Sequence, residues 1–400
     1  MELFPDQRQA LELARQANVF ILTGGAGTGK STTVKSILDD LATGGFRFAL
    51  AAPSGKAAKR LSEVTGKPAS TIHRLLEPEK INDGFAFTRG PNKPLEDDLI
   101  VLDEVSMVDV SLMARFLEAV KPQTKLILVG DPYQLPSVGP GNVLRDLLES
   151  RAFPAVELTI IKRQDEGLII KNCHRIKNGE DILVDNANAK DFFFLSLKEE
   201  EAIQSAIVEL VTRKLPEARK LNPFRDIQVI SPLREKTLLS CKAVNARLQQ
   251  ALNPNPIIEG CRFKAGDKVI QLKNEYGLGI VNGDLGYVQT IDKAARKIEI
   301  LFENPDRAIT LDPFENDLDL AYCLTVHKSQ GSEWPAVVIP VHKSFGSLMM
   351  NRNLLYTAVS RAKGLCVMVG QREEIPKIVQ RRGQEKRFTG LAGFLNEKES

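Results

Sequence analysis

Val19-Phe20-Ile21-Leu22-Thr23-Gly24-Gly25-Ala26-Gly27-Thr28-Gly29-Lys30-Ser31-Thr32 is the stretch that decides how this chain folds. The run from Val19 to Thr23 has strand character, the glycines after it form a loop, and Lys30 to Leu41 is helix-compatible. Strand, loop and helix in that order open a nucleotide-binding α/β domain. Gly24 to Ser31 also fits the spacing GxxxxGK[ST], and it does so between a strand and a helix, the context that cradling a phosphate demands. Glycines let successive N–H groups converge on one phosphate, and the helix N-terminus adds a favourable dipole. Lys30 then reaches the β- and γ-phosphate oxygens, and Ser31 Oγ meets Mg²⁺. The alternative, a plain glycine-rich turn, is disfavoured by this context.

Outward from the loop, apolar runs recur at Phe46 to Ala52, Leu99 to Leu102 and Lys125 to Val129. Each is followed by a polar or helical segment, as in a parallel sheet covered on both faces. The first lobe is expected over 1–150. Within it, 77–97 breaks into Pro, Gly, Asn and charge, with Phe85 and Phe87 alternating with small neighbours, the pattern of a short inserted hairpin. After a connecting region from Arg151 to Gly179, strands are expected at Ile227 to Ser231, Lys268 to Leu272, Leu320 to Val326, Ala336 to Val341 and Leu365 to Val369. They make a second α/β lobe over 151–400, and Asn-Gly and Gly turn signals place a small all-β module at about 282–317. The charged end from Gln380 on is expected to be mobile, with Phe388 to Leu395 still able to dock.

Four hundred residues are enough for two cores. The balance of 54 basic against 51 acidic side chains leaves a net charge of +3, which excludes a histone-like coat and restricts any nucleic-acid site to a local groove. Cys173, Cys241, Cys261, Cys323 and Cys366 lie far apart and form no CxxC pair, so neither a disulfide framework nor a zinc site is indicated. With no signal pattern and no apolar run of about 18 residues, a cytoplasmic protein without membrane association is expected.

Leu102 leads into Asp103 and Glu104, two carboxylates at a strand end, where ligands of doubly wound sheets sit. Beside a phosphate loop, Asp103 suits holding Mg²⁺ and Glu104 suits polarising a water; alone, the pair would read equally well as a helix cap. One strand later, Gly130-Asp131-Pro132-Tyr133-Gln134 brings a carboxylate and an amide to the same edge. Gln134 is a candidate γ-phosphate sensor or, alternatively, a turn residue.

GGAGTGKST, LDEVSM, GDPYQLPSVGPG, LTVHKSQGSEW and YTAVSRAK, in this order, resemble the motifs of superfamily 1 helicases in their RecD/Dda-like 5′-to-3′ branch. The resemblance spans nearly the whole chain. It implies an α/β fold of two RecA-like lobes with ATP in the cleft between them, a pin-like hairpin in the first and an SH3-like insertion in the second. It also implies a DNA helicase that uses ATP and Mg²⁺ and engages single-stranded DNA and single-strand/duplex junctions. Gln7 resembles the adenine-reading glutamine. Pro53, Ser54, Lys56, Thr71 and His73 resemble first-lobe DNA contacts, and Thr325, His327 and Lys328 resemble those of the second lobe. Gln330, Gly331 and Glu333 resemble residues that face the nucleotide. Arg361 resembles the arginine finger, and Arg163 a second phosphate-contacting arginine. Phe85 and Phe87 resemble a strand-separating pin; burial against the lobe is the alternative for both.

Two rivals stay open: a RecD-type subunit of a larger nuclease complex, and a DNA clamp whose ATPase only regulates its grip. Replication or recombination proteins are the expected partners. RNA is not excluded, because sugar-phosphate contacts alone discriminate poorly.

Overall fold

The computed structural model describes residues 3–42, 44–81, 84–160, 167–258, 260–303, 306–312, 317–347, 349–381, 383, 387 and 389–397. They fall into two compact units, residues 1–165 with 384–400, and residues 166–383.

In the first unit, β1 (Val19–Gly24), β2 (Phe48–Ala52), β3 (Ser70–Thr71), β4 (Pro78–Ile81), β5 (Gly84–Phe87), β6 (Leu99–Leu102), β7 (Lys125–Gly130) and β8 (Ala155–Leu158) follow in sequence. Six of these form a parallel sheet in the order β3-β2-β6-β7-β1-β8. The continuous apolar runs are explained by burial on both faces. Ile21, Ile100 and Leu102 enter one core, while Phe20, Leu22, Leu99 and Val101 enter the other, because successive strand side chains point to opposite sides. The faces are covered by α1 (Pro5–Gln16), α2 (Lys30–Ala42), α3 (Gly55–Thr65), α4 (Ile72–Leu75), α5 (Val110–Glu118) and α6 (Val143–Ser150). The sheet runs past the expected end near Ser150 because β8 pairs with β1. The expected hairpin is present as the antiparallel pair β4 and β5.

The second unit has a five-stranded parallel sheet. Its members are β9 (Phe192–Ser196), β10 (Ile227–Ser231), β16 (Cys323–Thr325), β17 (Trp334–Val341) and β18 (Ala362–Gly370), in the order β16-β10-β17-β18-β9. Around it lie α7 (Leu168–Asn178), α8 (Glu200–Glu209), α9 (Leu215–Arg219), α10 (Cys241–Leu252), α11 (Val326–Ser329), α12 (Arg352–Val359) and α13 (Ile375–Gln380). Here two expectations are corrected. Lys268 to Leu272, expected as a strand of the lobe, gives β11 (Lys268–Gln271) of the inserted antiparallel sheet; and Leu320 to Val326, taken as one strand, splits into β15 (Leu318–Leu320) and β16. The inserted sheet thus reaches from 268 to 320, with β12 (Leu285–Asp292), β13 (Lys297–Phe302) and β14 (Arg307–Leu311) between, in the order β14-β13-β12-β11-β15. It is wider than 282–317 because its own core, built on Phe263, Val269, Ile298, Ile300 and Phe302, needs a strand from each flank to close. β9 is not among the expected strands: its run Phe192–Ser196 lies between the connecting region, which ends at Gly179, and the first strand expected in this lobe, at Ile227.

After α13 the chain returns to the first unit, where α14 (Leu391–Glu397) packs on α6 and Leu395 enters the core of the first sheet. No helix among the described residues is long and apolar enough to cross a membrane.

Candidate nucleotide site and nucleic-acid motifs

β1 delivers the glycine loop to the C-terminal edge of the first sheet. Gly27 and Gly29 adopt φ of 76° and 86°, a region L side chains avoid. Gly24 is crowded instead: a Cβ there would lie 2.5 Å from Thr28 Oγ1 and 3.0 Å from the Leu158 oxygen. Thr28 is buried and donates to the Gly25 oxygen at 2.9 Å, which tightens the turn. Lys30 folds over the loop, its Nζ donating to the Gly24 oxygen at 2.7 Å and the Gly25 oxygen at 3.2 Å. Ser31 and Thr32, half-buried, follow in the first turn of α2, and Ala26 lies half-buried in the loop itself.

Two strands along, Asp103 leaves β6 with its N–H on the Ala51 oxygen at 2.9 Å, and its Oδ1 accepts the Glu104 N–H at 2.8 Å. Burial, and then the Glu104 charge, push the Asp103 carboxyl up to about 6, against the pull of Lys30 and Arg60. Glu104 takes the left-handed conformation, φ 54° and ψ 41°, at a cost on the order of 1–3 kcal/mol for a residue with a side chain. Its Oε2 is buried with no hydrogen-bond partner among the described residues. At the end of β7, Gln134 is buried and its Nε2 lies 3.4 Å from Oδ2 of the fully buried Asp131.

Gln7, on α1, is 1% exposed. Its Oε1 accepts the Phe4 N–H at 3.2 Å, while its Nε2 is buried with no partner among the described residues. Buried polar atoms are seldom left in this state. A base edge would satisfy Gln7 Nε2 and a water would satisfy Glu104 Oε2, so the residues present fit a nucleotide. No cluster of three His, Cys, Asp or Glu able to hold a metal occurs among the described residues. A divalent cation on Ser31 and Asp103 would therefore take its other ligands from phosphate and water.

Along the same edge, Ser54 caps α3 by accepting the Ala57 N–H at 3.3 Å, and Thr71 caps α4 by accepting the Arg74 N–H at 3.1 Å. Both hydroxyls hold up their own helices, and Pro53 and Lys56 on the same stretch are half-buried. The His73 ring lies 5.8 Å from that of Phe87, and burial lowers its pKa while Asp109 pulls it up. Phe87 is half-buried against the core of the first sheet, which is the burial alternative. The side chain of Phe85 lies outside the described residues, as does Arg163. At the hairpin's root, Glu77 (φ 52°) binds Arg89 at 2.7 Å, Lys93 at 2.8 Å and Thr88 Oγ1 at 3.0 Å. Those bonds, that of Lys93 first, hold its carboxyl down at about 2.

In the second unit, Thr325 caps α11 by accepting the Lys328 N–H at 3.3 Å. His327 is exposed on that turn; Lys328 is half-buried, and burial lowers its pKa. Gln330 is buried, Gly331 has φ 71°, and Glu333 is half-buried. Arg361, 2% exposed, joins them: it donates to the Ser332 oxygen at 3.3 Å, to the Thr357 oxygen at 3.1 Å and to Ser360 Oγ at 3.0 Å. Two motifs about 30 residues apart are thereby one local cluster.

Comparison with known proteins agrees with this layout. An AAA domain model matches residues 2–194, a model of the ATP-dependent RecD-like DNA helicase SH3 domain matches 244–302, and a UvrD-like helicase C-terminal domain model matches 320–369. The ATP-dependent RecD2 DNA helicase of Deinococcus radiodurans is 37% identical over 397 residues, which take in 97% of this chain and 52% of that protein. The RecBCD enzyme subunit RecD of Mycolicibacterium smegmatis is 33% identical over 425 residues, 97% of this chain and 74% of that one. The chain belongs to the RecD-like family of superfamily 1 helicases. It spans about half the length of the Deinococcus relative. Among solved structures, one of Pif1 helicases at forked double-stranded DNA has a TM-score of 0.57 at 22% identity, covering 92% of each chain. A Bacteroides Pif1 helicase with ADP-AlF3 and single-stranded DNA has a TM-score of 0.55 at 19% identity, covering 100% of this chain and 97% of that one. These likenesses establish the fold, two RecA-like lobes.

Within this RecD-like chain, a buried polar network fixes the strand switch from the SH3-like module into the Thr325 motif. Asn245 Nδ2 donates to the Leu320 and Cys323 oxygens at 3.1 and 3.0 Å, and Gln228 Nε2 donates to the Ala321 and Tyr322 oxygens at 3.1 and 3.0 Å. Asp267 accepts from Asn253 Nδ2 at 2.7 Å and Tyr322 Oη at 2.9 Å. Sequence reasoning missed these residues. The signal was there: Asn245, Gln249 and Asn253 recur every four positions along the buried side of α10 and its end.

Proposed function

We propose that this chain is an ATP-driven DNA helicase that moves 5′-to-3′ along single-stranded DNA and separates duplex ahead of it. The observation that carries this is the strained Glu104, whose buried Oε2, unpartnered among the described residues, stands beside Asp103 at the sheet edge of a complete phosphate loop. Strain and an unsatisfied carboxylate in one residue fit a group kept for chemistry. In this reading the loop from Gly24 to Thr32 holds the triphosphate and Gln7 meets adenine. Ser31 and Asp103 hold Mg²⁺, which when bound neutralises charge on the phosphates. Glu104 polarises the attacking water, Gln134 senses the γ-phosphate, and Arg361 and Arg163 stabilise the transferring group. Pro53, Ser54, Lys56, Thr71, His73, Thr325, His327 and Lys328 track the DNA backbone.

The test is ATP turnover with and without single-stranded DNA, together with unwinding of matched duplexes bearing a 5′ or a 3′ overhang. Stimulated turnover with unwinding from the 5′ overhang is expected; preference for the 3′ overhang would overturn the polarity. The likeness to RecBCD RecD subunits over nearly the whole chain favours a second reading, a motor that unwinds only inside a larger complex. Stimulated turnover without unwinding by the isolated protein would select it.

A further inference from the structure

The loop that follows Gln134, Ser137-Val138-Gly139-Pro140-Gly141, has no regular structure of its own and is held from two sides. On one side stands the start of α5. A Cβ at Gly139 would lie 2.1 Å from Asp109 Oδ2, one at Gly141 would lie 2.2 Å from Val110 Cγ2, and the Val110 N–H donates to the Pro140 oxygen at 3.0 Å. On the other side stands the chain's return to the first unit. Arg387 Nη1 donates to the Gly139 oxygen at 2.6 Å and the Gly141 oxygen at 2.9 Å, with Ser137 Oγ at 3.5 Å. Thr389 Oγ1, two residues on, donates to Asp146 Oδ2 of α6. One charged guanidinium nitrogen shared by two carbonyls is a strong, directional clamp. It closes on a segment that begins three residues after Gln134 and, through Asp109 and Val110, abuts the stretch that follows Asp103 and Glu104.

We infer that Arg387 is a positioning residue for ATP hydrolysis: by clamping the 137–141 loop it holds Gln134 where turnover requires it. The inference rests on the reading of Gln134 as the group that meets the γ-phosphate. Arg387 lies about 250 positions further along the chain and carries no motif signal.

The experiment measures ATP turnover on single-stranded DNA across ATP concentrations, alongside thermal melting, for the parent, Arg387→Ala, Arg387→Lys and Thr389→Val. In Arg387→Ala, kcat is expected to fall roughly ten- to a hundredfold, the scale of a small misplacement, with KM for ATP and the melting temperature near those of the parent. Arg387→Lys, which keeps the charge and can reach one carbonyl, recovers part of the loss. Thr389→Val, which removes the bond to Asp146 and keeps the methyl that lies beside Gly141, keeps parental kcat. Parental kcat in Arg387→Ala overturns the proposal, and so does a loss that tracks melting temperature and recurs in Thr389→Val. A parent with no turnover would sink the hydrolysis reading itself; a parent that turns over beside an equally active Arg387→Ala sinks only this inference.

Discussion

Arg361 Nη1 donates to the main-chain oxygen of Ser332 at 3.3 Å, which ties the end of α12 to the turn between Gly331 and Glu333. The guanidinium spends its remaining reach on Thr357 and Ser360, so it is oriented by its own unit before any nucleotide is considered. Lysine cannot reproduce that planar fork. Arg361→Lys is therefore expected to stay folded but lose turnover by a factor on the order of 10²–10³, in line with removal of one donor to developing charge. Steady-state ATPase with single-stranded DNA checks this, and parental kcat would remove Arg361 from the chemistry.

Glu104→Gln keeps the shape and loses the charge. It is expected to bind ATP as the parent does and to lose nearly all turnover, which fluorescent-nucleotide binding beside a phosphate-release assay would show. Normal turnover would take away the water-polarising role.

Asp103 carries a pH signature of stability. Its folded pKa of about 6 stands above the ordinary 3.8, so the protonated form is favoured by folding. That contribution is complete below the ordinary value and is lost as pH rises through about 6, which leaves an ionised, buried carboxylate at pH 8. Without nucleotide or Mg²⁺, Asp103→Asn should raise the melting temperature at pH 8 by a few degrees and by much less at pH 4. Melting curves at both pH values test it; an equal shift at both would show that the carboxylate is not destabilised by burial.

Gln7 offers a base-selectivity test. Removing a buried amide whose Nε2 has no partner among the described residues should cost little stability, whereas losing the proposed contact with adenine should raise KM for ATP about tenfold and leave KM for GTP unchanged. Competition between the two nucleotides reads the outcome, and a parallel rise for both would assign Gln7 to packing.

His327 is exposed on the turn capped by Thr325. His327→Ala should weaken stimulation of turnover by DNA several-fold while sparing basal hydrolysis. Equal losses in both would mark the residue as structural.

The sequence by itself determined the two α/β lobes, the inserted hairpin and module, and the edge carrying Gly24 to Ser31, Asp103 and Gln134. Those features are written locally, in apolar runs, glycine positions and turn residues, and local signals survive without knowledge of neighbours. Only the tertiary structure decided which strands belong together. Lys268–Gln271 has the same apolar pattern whether it joins a parallel or an antiparallel sheet, and its partners, Leu285 and Leu318 among them, are distant in the chain. The structure likewise turned Phe87 inward beside His73, drew Arg361 onto Ser332, and brought Arg387 back across the chain to Gly139. Each of these is a meeting of residues far apart in sequence, settled by which buried polar and apolar groups find partners once the chain has closed on itself.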